Sequence, residues 1–388
     1  MKEKGAFMIF FAIVLVVNLL VNAYIYSRTR AIFPTGNFSY PLAAVLFWLL
    51  ALSYMIGRIT ERMGYMEFAH PFVHLGSYWM GAMLYLTLLF LLTDIFRGFV
   101  TLVPAAESFR FGWNTDKGRV AIVTLYAATT VILTFGYYFA KSPVVRFQQI
   151  AVDKPLIGGP LRAVLVSDLH LGMMISNGRL ERLVELVNAQ KPDVLLLAGD
   201  VFDEDLGPVI ENNLGDLLKN FKTKYGAYAV LGNHEFYGDA QAAREYLEHH
   251  NIKVLRDSVV RLYNGTTIIG REDITHEQMN RIRRKPIDEL ISASDTSGLV
   301  ILIDHQPYNL NEVVGTGVDL QVSGHTHHGQ MWPLNYITKA IFTISRGYGK
   351  LGNTHFFVSS GFGTWGPPFR TNSRSEIVVL DIAGAETM

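Results

Sequence analysis

The chain has 388 residues, a formal net charge of zero, 18% charged residues and 49% hydrophobic ones. Charge this sparse, against about 25% in ordinary soluble domains, together with a positive mean hydropathy, places part of the chain in lipid. Electroneutrality argues against a general nucleic-acid binder held by phosphate neutralisation. The absence of cysteine excludes disulfides, thiolate nucleophiles and cysteine zinc sites, so any metal must be held by His, Asp, Glu or Asn.

Lys2 and Lys4 precede a charge-free apolar run over 5–26 that is long enough to cross a bilayer core. It exceeds a signal-peptide core and no small-x-small cleavage site follows, so it reads as an uncleaved anchor. Asn18 and Asn22, four apart within it, read as glue between helices. Further runs cover 40–57, 75–93 and 120–140, with Trp48, Tyr54, Tyr78, Trp79, Tyr85, Tyr137 and Tyr138 inside them, several near the ends as interfacial belts require. Residues 1–145 therefore predict a membrane domain of four transmembrane helices rather than the buried helices of a soluble core. Four spans put both ends of the chain on one side. Lys2, Lys4, Arg58, Arg62, Lys141 and Arg146 fall there, against Arg28, Arg30, Arg97, Arg110, Lys117 and Arg119 on the other. That balance leaves the positive-inside rule undecided; the reading leans to a cytoplasmic catalytic domain. His70 and His74, with Pro71 between them, read as an interfacial loop, and Asp94 falls at the end of its span.

Residues 146–160 read as a linker with a Gly158-Gly159-Pro160 joint, and 161–388 as a soluble α/β domain. Short apolar strands are predicted at 163–166, 194–198, 227–231, 299–303 and 320–322, with helices at 178–190, 239–250 and 286–292. Each strand delivers polar residues directly after its end: Ser167-Asp168-Leu169-His170, Gly199-Asp200-Val201-Phe202-Asp203, Gly232-Asn233-His234-Glu235, Asp304-His305-Gln306-Pro307, and Gly324-His325-Thr326-His327-His328-Gly329-Gln330. In α/β sheets that is the edge where active sites gather. One Asp-x-His is usually a surface turn and one Gly-Asn-His a loop; five such elements in order are not explained that way. A pair of divalent ions about 3.5–4 Å apart needs a carboxylate that bridges, and neutral imidazoles and an Asn carbonyl keep the cluster electropositive towards phosphate. Mixed N/O ligation without sulfur suits manganese, iron, zinc, nickel or cobalt better than magnesium or calcium. Glycines before Asp200, Asn233 and His325 allow close backbone approach.

Together these motifs resemble the signature of calcineurin-like metallophosphoesterases. The Ser167–Gly172 stretch, Gly324-His325-Thr326-His327 and Ser359-Ser360-Gly361-Phe362-Gly363 are similar to the YkuE/YaeI-like subgroup, several members of which carry N-terminal membrane segments. The resemblance covers about 161–382 and implies a four-layer αββα sandwich, here preceded by four transmembrane α-helices. It implies that Asp168, His170, Asp200 and His327 hold one divalent metal ion, that Asp200 bridges, and that Asn233, His305 and His325 complete a second. It implies that His234 is no ligand but gives a proton to the leaving oxygen, while hydroxide activated by the two metals attacks phosphorus. His328, where many relatives have glycine, is expected to point to solvent. Asp203 is expected to orient a ligand rather than bind metal, and Arg271, Asp273 and Arg370 are candidate substrate contacts. His249, His250, His276 and His355 read as structural.

The expected partners are the bilayer and a phosphorylated small molecule or lipid, not nucleic acid; the oligomeric state is not legible. Because the site is tethered to a membrane, and some similar proteins cleave the pyrophosphate of a lipid-linked nucleotide sugar, a lipid-linked phosphate leads. A soluble nucleotide-like phosphodiester, or a non-catalytic membrane scaffold or metal sensor, stays open.

Overall fold

The computed structural model describes residues 2–33, 39–156, 158–175 and 177–384, with backbone alone for 2–11, 39 and 62. The side chains of the flanking charges Lys2, Lys4 and Arg62 thus lie outside the described residues. The chain divides into two units, residues 1–136 with 366–368, and 137–365 with 369–388.

In the first unit the apolar runs become α1 (Lys2–Thr29), α2 (Ser39–Arg62), α3 (Met66–Leu102) and α4 (Asp116–Lys141). All four are long and apolar enough to cross a membrane. Their outward faces expose large apolar side chains such as Leu20, Leu46, Leu92 and Val123, which water would penalise and lipid would not. Gly76 lets α3 approach α2 closely, since a Cβ there would stand 2.2 Å from the Tyr54 nitrogen. Asn22 is buried: its amide donates to the Asn18 carbonyl at 2.9 Å and its oxygen accepts from Trp79 Nε1 at 2.9 Å. The third span is longer than expected. α3 includes His70, Pro71 and His74 instead of a loop, because a proline this near the helix start forfeits only its bond to the Glu67 carbonyl. Asp94 lies well inside α3. Its Oδ2 accepts from Tyr24 Oη at 2.8 Å and Arg28 Nε at 3.0 Å, and its Oδ1 from Arg97 Nη1 at 2.8 Å and Trp113 Nε1 at 2.9 Å.

The second unit begins with β1 (Val144–Val152), β2 (Leu161–Val166), α5 (Asn177–Ala189), β3 (Val194–Ala198) and the short helices α6 (Gly207–Glu211) and α7 (Leu214–Leu218). β4 (Ala227–Val230), α8 (Asn233–Tyr237), α9 (Ala240–His249), β5 (Ile252–Val254), β6 (Ser258–Arg261), β7 (Thr267–Gly270), α10 (Ile274–Asn280) and α11 (Ile287–Ser292) follow. β8 (Val300–Ile303), β9 (Leu320–Ser323), α12 (Asn335–Ile341), β10 (Gly347–Leu351), β11 (Thr354–Val358) and β12 (Glu376–Gly384) complete it. They form two six-stranded sheets, ordered β1-β12-β2-β3-β4-β5 and β10-β11-β9-β8-β7-β6. The first seven residues of the segment read as a linker, 146–152, are therefore strand. β1 pairs in parallel with β12 along its whole length, and its Arg146 salt-bridges the buried Glu376. The polar Gln148 and Gln149 conceal this edge strand from a hydrophobicity reading.

Strand periodicity explains the layering. In β2, Ala163 and Leu165 meet Leu196, Val230, Ile301, Ile303 and Val322 between the sheets. Val164 and Val166 point the other way, onto Leu180, Leu183 and Val187 of α5 and Leu247 of α9. The second sheet covers its outer face with Ile287 and Leu290 of α11 against Ile269, Val300 and Leu302. Helix, sheet, sheet and helix thus stack in four layers. Strands buried on both faces read as continuous apolar runs, and each such Leu or Ile contributes about 1.5–3 kcal/mol. β2, β3 and β4 are mutually parallel, as are β7, β8 and β9, so their carboxyl ends gather at one rim in each sheet.

Candidate metal centre

The loops leaving these strands prolong the ladder for a few residues before turning. Asp168 N donates to Gly199 O and His170 N to Asp200 O, each at 3.0 Å, and Gly324 N donates to His305 O at 2.9 Å. Five of the seven expected ligands, Asp168, His170, Asp200, His325 and His327, have φ between 45° and 69°. Left-handed backbone at non-glycine residues is held only where the surroundings over-determine it, and it collects at functional sites. Gly232 is needed for the close approach: a Cβ would lie 2.2 Å from Asp200 Oδ1 and 2.7 Å from His305 Nε2.

Asp200 is fully buried at the centre. Its Oδ1 accepts the His234 backbone N–H at 2.9 Å, leaving Oδ2 between two histidines, 3.1 Å from His305 Nε2 and 4.0 Å from His170 Nε2. On one side of it lie His305, Asn233 and His325. His305 Nδ1 stands 2.7 Å from the Ala198 carbonyl, which only accepts, so that nitrogen carries the proton. Nε2 then faces two oxygens, Asp200 Oδ2 and, at 3.1 Å, Asn233 Oδ1. His325 Nδ1 reaches the same Asn233 oxygen at 2.8 Å. On the other side, His170 Nε2 and His327 Nε2 are 3.0 Å apart, with Asp168 Oδ1 3.6 Å from His327 Nε2. Asp168 Oδ1 is fixed by the His325 N–H at 2.9 Å, whereas its buried Oδ2 has no hydrogen-bond partner among the described residues.

The electrostatics follow. Burial lowers the Asp200-flanked imidazoles unevenly: His170 falls to about 4 through burial and then the nearby His234, and His325 to about 3 through burial and then His305. Burial, then His170 and Arg370, holds His327 well below its ordinary value. All three are thus held neutral, the form that ligates metal. Burial also acts against a charged His305, but the attraction of Asp200 outweighs it and holds His305 well above its ordinary value. Asp200 is held well below the usual range, burial being outweighed by His305 and His234. Asp200 draws a proton onto His305 and Asp168 Oδ2 has no hydrogen-bond partner among the described residues, and a divalent cation would supply the missing positive charge at both places. The residues fit divalent metal.

Asp203 Oδ1 lies 3.8 Å from His170 Nδ1 and 3.4 Å from His234 Nδ1, a negative charge beside both rings. Burial opposes a charge on His234, but Asp200 and Asp203 raise it to about 9. Its ring is flanked by the half-exposed Tyr237 and Trp365, with ring centroids at 5.7 and 5.8 Å.

Several expectations are corrected. His328 is buried rather than solvent-directed, its Nδ1 3.4 Å from Ser345 Oγ and its carbonyl accepting from Asn372. Arg370 is fully buried instead of lying in a substrate-facing loop. Its guanidinium donates to Gly363 O and Ser373 Oγ, and Nη2 is 3.3 Å from His327 Nδ1. Arg271 is turned inward with Arg284 onto Asp304, the residue before His305. Asp273 caps α10 through the Thr275 N–H at 2.8 Å and takes the Gln306 amide. His250 and His355 meet Tyr246 O and Tyr348 Oη.

Glu235 has no role in the sequence reading. Its buried carboxylate accepts from the N–H groups of Asp200 at 3.2 Å, Phe202 at 2.8 Å and Gly232 at 2.6 Å, tying two ligand loops together. The signal was its place in the first turn of α8, where a carboxylate can reach back to free N–H groups.

Comparison with known proteins agrees with this geometry. The family model for calcineurin-like phosphoesterase matches residues 161–329. An uncharacterized metallophosphoesterase of Campylobacter jejuni is 31% identical, over 97% of this chain and 99% of that protein. The chain belongs to the metallophosphoesterase family. A metallophosphoesterase of Aquifex aeolicus, also uncharacterized, is 30% identical over 65% of this chain and 97% of its own length. A zebrafish (Danio rerio) protein named as a transmembrane protein with a metallophosphoesterase domain is 30% identical over 64% of this chain and 60% of its own length. As a calcineurin-like metallophosphoesterase with four bilayer-length apolar helices, the chain is a membrane protein of a divalent-metal phosphoesterase family.

Proposed function

We propose that the chain hydrolyses a phosphoester or diphosphate bond with two divalent ions, manganese being the leading candidate, and that its substrate is a lipid-linked phosphate. Asp168, His170 and His327 would hold one ion and Asn233, His305 and His325 the other, with Asp200 shared. The observation that carries this reading is the position of Asp200 Oδ2, between His170 and His305 at the meeting point of two groups of His, Asp and Asn side chains. Divalent ions bound there supply Lewis acidity, which brings the pKa of water towards neutrality and offsets phosphoryl charge.

The protein's own residues do the rest. His234, steadied by Asp203, stands beside the cluster and would give its proton to the leaving oxygen. Asp203 Oδ1, 3.8 Å from His170 Nδ1, also places a negative charge behind that ring. Glu235 holds the Asp200 and Gly232 turns in register, so the shared carboxylate is preorganised. The lipid-linked substrate is supported by the four apolar helices in the same chain.

The test uses the full chain in nanodiscs, stripped with chelator and reloaded with manganese. Turnover is compared on a diacyl lipid diphosphate, bis(4-nitrophenyl) phosphate and a nucleotide phosphodiester, with Asp200→Asn as control. Metal-dependent turnover that is fastest on the lipid and absent from the control is expected. A preference for the nucleotide would replace the lipid reading, and turnover by the Asp200→Asn variant equal to wild type would sink the metal mechanism.

A further inference from the structure

The metal-ligand loop runs through His327 and His328 straight into an apolar surface. Trp332, Leu334, Tyr336, Ile337 and Ile341 are all exposed, between 36% and 61%, within ten residues of chain. α12 hides Asn335, half-buries Thr338 and turns its aliphatic and aromatic side chains outward, the inverse of an ordinary surface helix. Isolated exposed apolar residues need no explanation, but a contiguous patch does.

The patch is continuous with the site. Phe342, which follows α12, packs on Tyr308 with ring centroids 4.8 Å apart and on the candidate ligand His325 at 6.0 Å. Gly329 holds the start of α12 against the ligand loop, because a Cβ there would stand 2.5 Å from the Asn335 nitrogen.

Its composition indicates the occupant. Aromatic rings with polar tips, branched aliphatics and a lysine whose ammonium lies 5.9 Å from the Tyr336 ring centroid make up a helix suited to the headgroup–acyl boundary. A bilayer is also close along the chain. Only Ser142 and Pro143 separate α4, which is of bilayer length, from β1. Within the second unit, which begins at Tyr137, Ser375 Oγ donates to Ala140 O at 2.7 Å and Arg374 Nη2 to Ser142 O at 2.7 Å.

We propose that Trp332 and the outward face of α12 dock on the acyl region of the lipid bilayer and so lead a lipid-borne phosphate to the metal centre. The docking stands on the patch itself; the delivery of substrate rests on the function proposed above.

Because the chain has no cysteine, Ile337→Cys accepts a single nitroxide in the full-length protein. In nanodiscs of phosphatidylcholine and phosphatidylglycerol, power saturation should show that label more accessible to oxygen than to a nickel chelate. A label at the exposed Lys222→Cys should show the reverse. Nickel accessibility at position 337 equal to that at 222 would overturn the docking, as would dipolar coupling between labels showing that a second copy covers the patch. The double variant Ile337→Ser, Ile341→Ser should raise KM for the lipid diphosphate roughly tenfold while kcat and bis(4-nitrophenyl) phosphate turnover hold. Equal loss on both substrates would make the patch structural and overturn the proposal. A lipid-exposed label in a protein that hydrolyses no lipid phosphate supports the docking and rejects the substrate reading instead.

Discussion

Two polar clusters, one in each unit, are both centred on an aspartate and settle its charge in different ways. Around Asp94, four donors meet two carboxylate oxygens, and Arg28 and Arg97 balance the charge with one cation to spare. Around Asp200, carboxylate, amide and imidazole groups crowd together: His305 Nε2 lies against Asp200 Oδ2 and Asn233 Oδ1, His170 Nε2 against His327 Nε2, and Asp168 Oδ2 has no donor among the described residues. The first cluster is complete, so it holds helices together. The second draws a proton onto its own His305 to balance Asp200, a charge that a bound cation would supply instead. Matching donors to acceptors separates a structural polar network from a ligand site more reliably than counting charged residues does.

Substitutions at the two centres should therefore differ in kind. The largest effect is expected from Asp200→Asn, which should lower metal-dependent kcat by about a thousandfold or more with the fold retained, read by steady-state kinetics and circular dichroism. A variant retaining a tenth of wild-type turnover would mean that Asp200 is not the shared ligand.

His234→Asn should lower kcat by about 10²–10⁴-fold with metal content unchanged. His234 is raised to about 9, so its proton is present below that pH and lost above it. Bound cations act to lower that value, so wild-type kcat should fall as pH rises through 9 or somewhat below. The variant should lack that alkaline limb.

Arg370→Met removes the guanidinium that braces Gly363 O and Ser373 Oγ behind His327. Metal affinity is expected to drop about 10–100-fold by titration, with kcat at saturating metal close to wild type. Loss of kcat alone would return Arg370 to the substrate side. In the membrane unit, Asp94→Asn should leave kcat and metal content untouched. It should lower stability by about 1–3 kcal/mol, read by thermal unfolding in micelles. If it abolished turnover, the contrast between the two clusters would fail.

Much of the catalytic unit was legible because its strands are buried on both faces, which makes them short apolar runs, and because each ends in a glycine or polar turn. The strand over 194–198 emerges with those bounds as β3, and the Asp168, Asp200, Asn233, His305 and His325 turns all arrive at one rim. What was not legible depends on partners distant in sequence. β1 is an edge strand whose polar residues face outward, and its pairing with β12 spans more than half the chain. Arg370, after Pro367 and Pro368, and His328, before Gly329, sit in stretches that read as exposed loops, yet both are buried, Arg370 against His327. Arg271 is buried and Arg284 turned inward because Asp304 supplies a carboxylate, a fact no local window contains. The same holds for the aromatic flank of His234, which reaches it from separate segments.

The central claim is that the converging side chains exist to hold metal. Elemental analysis of the full-length protein, reloaded with manganese and freed of excess, tests it most directly. The account predicts two ions per folded chain in the wild type and in Asp94→Asn, and a loss of bound metal in Asp200→Asn. A folded wild-type chain that retains no divalent ion would contradict it.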